Sequence, residues 1–229
     1  MSSPNSATGG VSVTPRPLFD YRREFALTDD DLTGGRILDC PGGASPFGAQ
    51  VRARGGEVIS VDPAYARDAE DIRGMVEQNL AATPDWIRTK GDAIDWSDLG
   101  SENALVRAFE PAADLFFTDF AAHPEHYLAA SLPDLPLPDR HARLALSSFL
   151  LFAYPDVFDL DAHVASLREL VRVADEARVF PLVDADASPY PHLDELRRIL
   201  ADEGIRTELR STTATYSIGA DHALVCARA

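Results

Sequence analysis

A glycine-rich turn between an apolar run and a helical segment carries the clearest signal for chemistry in this chain. Residues 36–40 form the apolar run, Pro41, Gly42 and Gly43 follow it, and residues 47–54 have helical character. Because glycine has no Cβ, the backbone N–H groups of such a turn can approach a ligand closely. The turn lacks the G-x-G-x-x-G spacing of dinucleotide sites and the Lys-Ser/Thr pair of a phosphate loop, so NAD and ATP are disfavoured. It predicts a backbone-lined ligand site of another kind.

An acidic residue ends the next apolar run. Residues 57–61 form that run, Asp62 follows it, and Gly55 and Gly56 separate it from the preceding short helix. Two apolar runs joined by one short helix predict a βαβ unit, whose parallel strands are buried on both faces. Open α/β sheets bind ligands in the crevice outside such strand ends. A carboxylate there can accept hydrogen bonds from both hydroxyls of a ribose, so we expect Asp62 to bind one.

The rest of the chain alternates between strand and helix patterns around one long helical stretch. Residues 64–125 have helical periodicity and many acids, without a persuasive strand. We therefore predict an α/β sheet that a helical insertion, residues 64–125, interrupts after the second strand. Further strands are predicted at residues 126–130, 142–147, 177–182, 205–211 and 223–227, and further helices at 161–173 and 192–203.

Charge disfavours several classes of partner. The 229 residues include 37 acidic and 21 basic side chains, which gives a net charge of −16. A surface this negative repels phosphates, so we expect neither nucleic acid nor a membrane as a partner. Cys40 and Cys226 offer neither a disulfide framework nor metal-ligand spacing. We therefore expect no metal site, and a reducing, cytoplasmic location fits best.

The N-terminal residues carry little structural signal. Residues 1–17 are small and polar and lack both the basic and the apolar region of an export signal. No stretch of the sequence approaches the apolar length that spans a bilayer. We expect residues 1–17 to be a disordered tail or to lie over the surface, and residues 18–229 to form a single domain.

Taken in chain order, these motifs resemble those of the class I S-adenosylmethionine-dependent methyltransferases. Residues 38–43 are similar to the first motif of the family, and Asp62 is similar to its ribose-binding acid. Residues 131–139 and the run 145–148 resemble the family segment G-D-A-x-x-L-P-F-P-D and the fourth strand to which it leads. The resemblance covers roughly residues 20–229 apart from the insertion.

The chain departs from the family pattern at two places in the site. Pro41 and Ser45 stand where the family has glycines, and Ser131 stands where an acid usually binds the adenine amine. The backbone amide of Leu132 can serve adenine instead. Residues 91–93, Gly-Asp-Ala, are a second candidate for the adenine segment, although no paired strand follows them at the right distance.

The resemblance implies a fold, a cofactor and a set of binding residues. The fold is a Rossmann-like, seven-stranded, mostly parallel sheet with helices on both faces and an antiparallel last strand. The cofactor is S-adenosylmethionine, and Arg22 could pair with its methionine carboxylate from a helix before the first strand. The implied cofactor-binding residues are Asp39, Gly42, Gly43, Ala44, Asp62, Pro63, Ser131, Leu132, Ser147 and Arg22.

No motif fixes the catalytic residues. His123, His126 and Tyr154 are candidates for a base or an orienting group, although a single histidine is more often a surface residue. The expected reaction is methyl transfer to a small-molecule acceptor, with the insertion as a lid. Two alternatives stay open: cofactor binding without transfer, in a regulatory or scaffolding role, and an enzyme that uses another adenosine-containing cofactor. The sequence predicts neither the acceptor atom nor the oligomeric state.

Overall fold

Seven strands form one sheet in the computed structural model, which describes residues 12–93, 96, 102–214 and 218–229. Only the backbone is described for residues 86, 90, 93 and 102–107. The strands are β1 (Arg36–Asp39), β2 (Glu57–Val61), β3 (Tyr127–Leu128), β4 (Ala142–Ser148), β5 (Ala174–Phe180), β6 (Ile205–Ser211) and β7 (His222–Arg228). The helices are α1 (Leu18–Glu24), α2 (Asp29–Thr33), α3 (Phe47–Arg52), α4 (Ala69–Lys90), α5 (Glu102–Ala122), α6 (Leu160–Val173) and α7 (Leu193–Asp202).

The sheet has the strand order β3-β2-β1-β4-β5-β7-β6. The first five strands in this order pair in parallel, and β7, the last strand of the chain, is antiparallel to both of its neighbours. The predicted seven-stranded, mostly parallel sheet with an antiparallel last strand is therefore confirmed. The carboxyl ends of β1 to β5 meet at one edge of the sheet, where open α/β sheets bind ligands.

Helices cover both faces of the sheet because the central strands are apolar on both sides. On one face, Leu38 of β1 packs in a cluster with Leu167 of α6 and Leu196 of α7. On the other face, Ile37 of β1 packs in a cluster with helices α1, α2 and α3, which contribute Phe47 among others. Successive side chains of a strand point to opposite faces, so the continuous apolar run of β1 supplies both clusters.

In its described part, the helical insertion contains α4 and α5, which follow β2 as predicted. Ile72 of α4 and Phe116 of α5 form a third cluster with Tyr65 and Val13, outside the two main clusters. Within the stretch of helical periodicity, residues 69–90 form one continuous helix, α4. Its N-cap Asp68 accepts a hydrogen bond from the backbone N–H of Asp71 at 2.9 Å. None of the described helices is long and apolar enough to cross a membrane.

Two of the predicted strands have different bounds. The strand expected at 126–130 is limited to Tyr127–Leu128. The strand expected at 177–182 starts at Ala174, directly after the last residue of α6, and ends at Phe180. Pro181 follows and has no N–H with which to continue the ladder. The early end of β3 leaves residues 129–132 as a loop at the ligand-binding edge.

Part of the expected N-terminal tail is packed against the domain. Residues 12–16, which we call the strap, form neither helix nor strand, and Val13 is only 2% exposed. The Asn79 amide of α4 donates to the carbonyl of Val13 at 3.0 Å, and the N–H of Ser12 donates to the Tyr154 hydroxyl at 3.0 Å. Of the two alternatives expected for the tail, residues 12–17 follow the second and lie against the domain, whereas residues 1–11 lie outside the described residues.

Candidate functional site

A cleft lies at the carboxyl ends of β1, β2, β3 and β4. It encloses about 900 Å³ of empty space, part of it open to solvent. The loop after each of these strands contributes to its wall, and the strap covers one side. The lining residues are Ser12, Val13, Thr14, Arg16, Tyr21, Cys40, Pro41, Gly42, Gly43, Val61, Asp62, Pro63, Ala130, Ser131, Leu132, Ser148, Phe149, Leu150, Val157 and Phe158.

The glycine turn is packed so closely that side chains do not fit. A Cβ on Gly42 would lie 2.4 Å from the Tyr65 hydroxyl oxygen and 2.9 Å from the Cβ of Ser60. The Tyr65 hydroxyl donates to the carbonyl of Gly43 at 2.8 Å, and Gly43 has a φ of +53°. The N–H of Gly42 donates to the carbonyl of Val61 at 2.9 Å. These contacts fix the turn against β2 and hold its backbone at the cleft wall.

Asp62 links the end of β2 to the glycine turn. Its two carboxylate oxygens accept from the N–H of Gly43 at 2.9 Å and from the N–H of Ala64 at 2.8 Å. The residue is 6% exposed, and burial raises its pKa above the ordinary value. Each carboxylate oxygen has two lone pairs, so both can accept a further hydrogen bond from a ligand in the cleft.

Two more buried acids lie beside the cleft. The Tyr21 hydroxyl donates to Asp39 at 2.9 Å, and burial raises the pKa of Asp39 to about 8. Burial also raises the pKa of Glu24 to about 7, although Arg16 lies 3.6 Å away and the Ser148 hydroxyl donates to it at 2.7 Å. At neutral pH Asp39 is therefore mostly protonated and Glu24 about half protonated, and a positive group bound nearby would favour their ionised forms.

Six of the ten predicted cofactor-binding residues line the cleft. Asp39 and Ala44 lie behind its wall and are fully buried, and Ser147 is buried next to Ser148, which does line it. The six that line it are Gly42, Gly43, Asp62, Pro63, Ser131 and Leu132. The structure therefore brings the three predicted motifs to one place.

Arg22 does not reach the cleft. Helix α1 buries Leu18, Tyr21 and Glu24, which lie on its face toward the sheet, so Arg22 points away and pairs with Asp29. The cation that lines the cleft is Arg16, in the strap, and sequence reasoning missed it. The alternative adenine segment at residues 91–93 is a 3-10 turn after α4 and is likewise outside the cleft wall.

The two candidate histidines lie away from the cleft. His123 and His126 flank a 3-10 turn before β3, at the amino end of that strand, whereas the cleft is at the carboxyl ends. Glu125 lies between them, and the ligand atoms of the three residues are all within 4.8 Å of one another at the surface. Burial and the nearby Arg52 lower the pKa of His126. Neither histidine lines the cleft or the cavity that adjoins it.

A second cavity adjoins the cleft and includes Tyr154, the third catalytic candidate. It contains about 1260 Å³ of empty space, open on one side. Five residues line both cavities, so the strap and Phe149 form a shared wall. These residues are Ser12, Val13, Thr14, Arg16 and Phe149. The Arg16 guanidinium lies 3.9 Å from the centre of the Phe149 ring. This contact joins the strap to Phe149 within the shared wall.

Comparisons with known proteins give distant similarities. No protein family model matches the chain. The chain is 23% identical over 178 residues to an uncharacterized protein of Methanocaldococcus jannaschii, covering 77% of this chain and 80% of that one.

Solved structures similar to the chain include S-adenosylmethionine-dependent methyltransferases. One from Aquifex aeolicus is 14% identical, with 85% of this chain and 81% of that chain covered and a TM-score of 0.39. The magnesium protoporphyrin IX methyltransferase of Synechocystis, with bound S-adenosylhomocysteine, is 16% identical, with 88% and 77% covered and a TM-score of 0.44. The PH0226 protein of Pyrococcus horikoshii is 13% identical, with 85% and 82% covered and a TM-score of 0.45. The reaction of this chain must be argued from its own residues.

Proposed function

We propose that this protein binds S-adenosylmethionine in the cleft and transfers its methyl group to a small-molecule acceptor. The observation that carries the proposal is the convergence of the glycine turn, Asp62 and the segment Ser131–Leu132 on one cleft. These groups come from the ends of three different strands and are separated by up to 90 residues of chain. Their order along the sequence is the order that the class I resemblance predicts.

The residues of the cleft suit the parts of this cofactor. Asp62 has lone pairs for the ribose hydroxyls, and the backbone at Ser131 and Leu132 has an amide and carbonyl for adenine. The tight turn at Gly42 and Gly43 places its backbone at the cleft wall, along which the methionine chain would bind. A bound sulfonium or ammonium group would lower the raised pKa values of the buried acids beside the cleft and favour their ionised forms.

When bound, the cofactor supplies a methyl group that its sulfonium sulfur activates for transfer. The chain itself orients the two reactants and excludes water. Orientation alone contributes roughly 7–11 kcal/mol to such reactions. Because Asp62 is held by two backbone N–H groups, a ribose bound to it takes up a fixed position relative to the glycine turn.

We include in the proposal that residues 64–125 cover the site as a lid. Helix α4 contributes Asn79 and Leu80 to the second cavity, and α5 contributes Phe109. The Asn79 amide also holds the strap through the carbonyl of Val13. The insertion thus contacts the wall between the cavities and also lines the second cavity. Closure of the insertion at this place would exclude water from the site.

Calorimetric titration with S-adenosylhomocysteine, NAD and ATP tests the cofactor. We expect only S-adenosylhomocysteine to bind. Asp62→Ala should weaken that binding by roughly 1–3 kcal/mol, since the ribose hydroxyls lose their acceptor. Asp85→Ala is the matched control, because Asp85 is an exposed acid of α4 that does not line the cleft. Thermal unfolding curves of both variants check that they fold.

Other results would redirect the proposal. Binding of NAD or ATP in place of S-adenosylhomocysteine would favour an enzyme with another adenosine cofactor. Unchanged affinity in Asp62→Ala would place the ligand elsewhere. Transfer itself is measured by incubating the protein with methyl-labelled S-adenosylmethionine and a cell extract, and label is expected in the small-molecule fraction. Tight cofactor binding without any labelled product would favour the regulatory alternative.

A further inference from the structure

We infer that the second cavity is a binding site for a mostly apolar ring compound that carries a hydroxyl or amino group and no carboxylate. The inference rests on the proposed function only where it identifies this compound as the methyl acceptor. As a ligand site, the cavity stands on its own lining. It lies beside the cleft, across the strap, and therefore on the side from which an acceptor would meet the cofactor.

The body of the cavity is apolar and aromatic. Phe109 of α5 and Val183, which follows β5, are buried, and Leu80 and Phe149 complete the apolar wall. Pockets of this kind bury the apolar body of a small molecule and use a few polar groups to orient it. The rings of Phe109 and Phe149 favour a flat, aromatic occupant, since offset-stacked and edge contacts between rings are stabilising.

Asp184 supplies a hydrogen-bond acceptor at the rim. One of its carboxylate oxygens accepts from the N–H groups of Asp186 at 2.8 Å and of Ser188 at 2.9 Å. These two bonds hold the side chain in place against the cavity. Within the described part of the chain, its other oxygen accepts no hydrogen bond. A ligand hydroxyl or amine can donate to that oxygen, whereas a carboxylate would be repelled by it.

Tyr154 supplies a donor on the same wall. Its hydroxyl oxygen accepts from the N–H of Ser12 at 3.0 Å, which leaves the hydroxyl proton free to point into the cavity. The Asn79 amide nitrogen is engaged with Val13, so the side-chain oxygen of Asn79 is a further acceptor. A hydroxyl group both donates and accepts, and it therefore matches this set of groups better than a carboxylate does.

Arg16 does not convert the cavity into an anion site. Its guanidinium lies 3.6 Å from Glu24, donates to the Thr14 hydroxyl at 2.6 Å and stacks over the ring of Phe149. Its charge is thus engaged within the wall. The net charge of −16 acts in the same direction, because it disfavours the approach of anions to the whole molecule.

Three probes with one ring system test the inference by calorimetry or ligand-observed NMR: 2-naphthol, 2-naphthylmethylamine and 2-naphthoate. We expect the first two to bind the wild-type protein at least about tenfold more tightly than naphthoate. Ala82→Phe places a ring in the cavity from an exposed position of α4 and should abolish binding. Ala81→Phe is the matched control, because Ala81 is exposed on the same helix and does not line the cavity.

The carboxylate is tested with Asp184→Asn, which keeps an oxygen for the two turn amides but removes the charge. The affinity for the naphthylmethylamine cation should fall by roughly tenfold or more. The ratio between the affinities for the amine and for naphthoate should therefore become smaller. Asp186→Asn, two residues further along the chain and outside the cavity lining, should leave the affinity for the amine and its ratio to the naphthoate affinity unchanged. Equal binding of all three probes, or binding that survives Ala82→Phe, would overturn the inference. If the probes bind as expected but S-adenosylhomocysteine does not, the proposed function fails and the ligand site stands.

Discussion

Replacing Gly42 by alanine tests how the glycine turn is held. The added Cβ would lie 2.4 Å from the Tyr65 hydroxyl oxygen, whereas ordinary contacts between such atoms are about 3.5 Å. The hydroxyl must therefore move by about 1 Å. That movement breaks its 2.8 Å hydrogen bond to the carbonyl of Gly43. The new Cβ cannot avoid the hydroxyl by moving toward Ser60, because the Cβ of Ser60 would be only 2.9 Å from it.

The expected cost follows from these contacts. The half-buried carbonyl of Gly43 costs up to roughly 1–3 kcal/mol when it loses its partner, and overpacking adds about 1–3 kcal/mol. We therefore expect Gly42→Ala to lower the free energy of unfolding by roughly 2–6 kcal/mol. For a domain of this size each kcal/mol lowers Tm by about 2–4 °C. Because the turn lines the cleft, affinity for S-adenosylhomocysteine should fall as well.

A double-mutant cycle with Tyr65→Phe isolates the contact. Tyr65→Phe alone removes one hydrogen bond and should cost about 1 kcal/mol. In the Gly42→Ala background, Tyr65→Phe also removes the hydroxyl oxygen that the new Cβ meets. The double variant should therefore be more stable than the sum of the two single-variant effects predicts. The coupling should be roughly 1–3 kcal/mol. Recovery stays partial, because the contact with Ser60 remains.

Urea unfolding and calorimetric titration measure both effects. Gly55→Ala is the control for a glycine replacement without a steric contact: Gly55 has a φ of +85° and nothing lies within 4 Å of its Cβ position. It should cost about 1 kcal/mol and leave affinity unchanged. Additive effects of Gly42→Ala and Tyr65→Phe would refute the reasoning, because they would show that the hydroxyl is not what the new Cβ displaces.

Two further predictions concern pH and motion. Glu24 has a pKa of about 7 in the folded protein against an ordinary 4.5, so the folded state binds its proton more tightly. The free energy of unfolding should therefore fall by about 3 kcal/mol as pH rises from 4.5 to 7 and change little from this cause above 7. In Glu24→Gln the free energy of unfolding, measured at pH 5 and pH 8, should fall less between the two pH values than in the wild type. An equal fall in the variant and the wild type would contradict the assignment to Glu24. In hydrogen exchange, S-adenosylhomocysteine should protect amides of the glycine turn and of residues 64–125; protection of the turn alone would contradict the lid.

The sheet and the core of the cleft could be predicted because local patterns specify them. An apolar run followed by glycines, or by an acid, marks where a buried parallel strand ends. The carboxyl ends of parallel strands then meet at one edge, so the glycine turn and Asp62 had to come together. The structure adds the contact itself, since the N–H of Gly43 donates directly to Asp62.

The residues that were misplaced depend on contacts between distant parts of the chain. Arg22 points to solvent because Leu18 and Tyr21 set the buried face of α1. The strap has the small polar composition of a loop, and its position depends on Asn79, which is 66 residues away from Val13. Neither contact leaves a local pattern in the sequence. His123 and His126 were misplaced because they precede β3 and so lie at its amino end, whereas the cleft lies at the carboxyl ends of the strands.

The shared wall has a thermodynamic consequence. A molecule in either cavity contacts the same five residues, Ser12 to Thr14, Arg16 and Phe149. An occupant that shifts this wall changes the shape of both cavities, and binding at the two cavities is then linked. Linkage is reciprocal. The factor by which an occupant of the first cavity changes affinity at the second equals the factor by which an occupant of the second changes affinity at the first. Affinities measured with one cavity empty then describe only one part of a four-state cycle, and an affinity at the first cavity has a defined value only when the occupancy of the second cavity is stated.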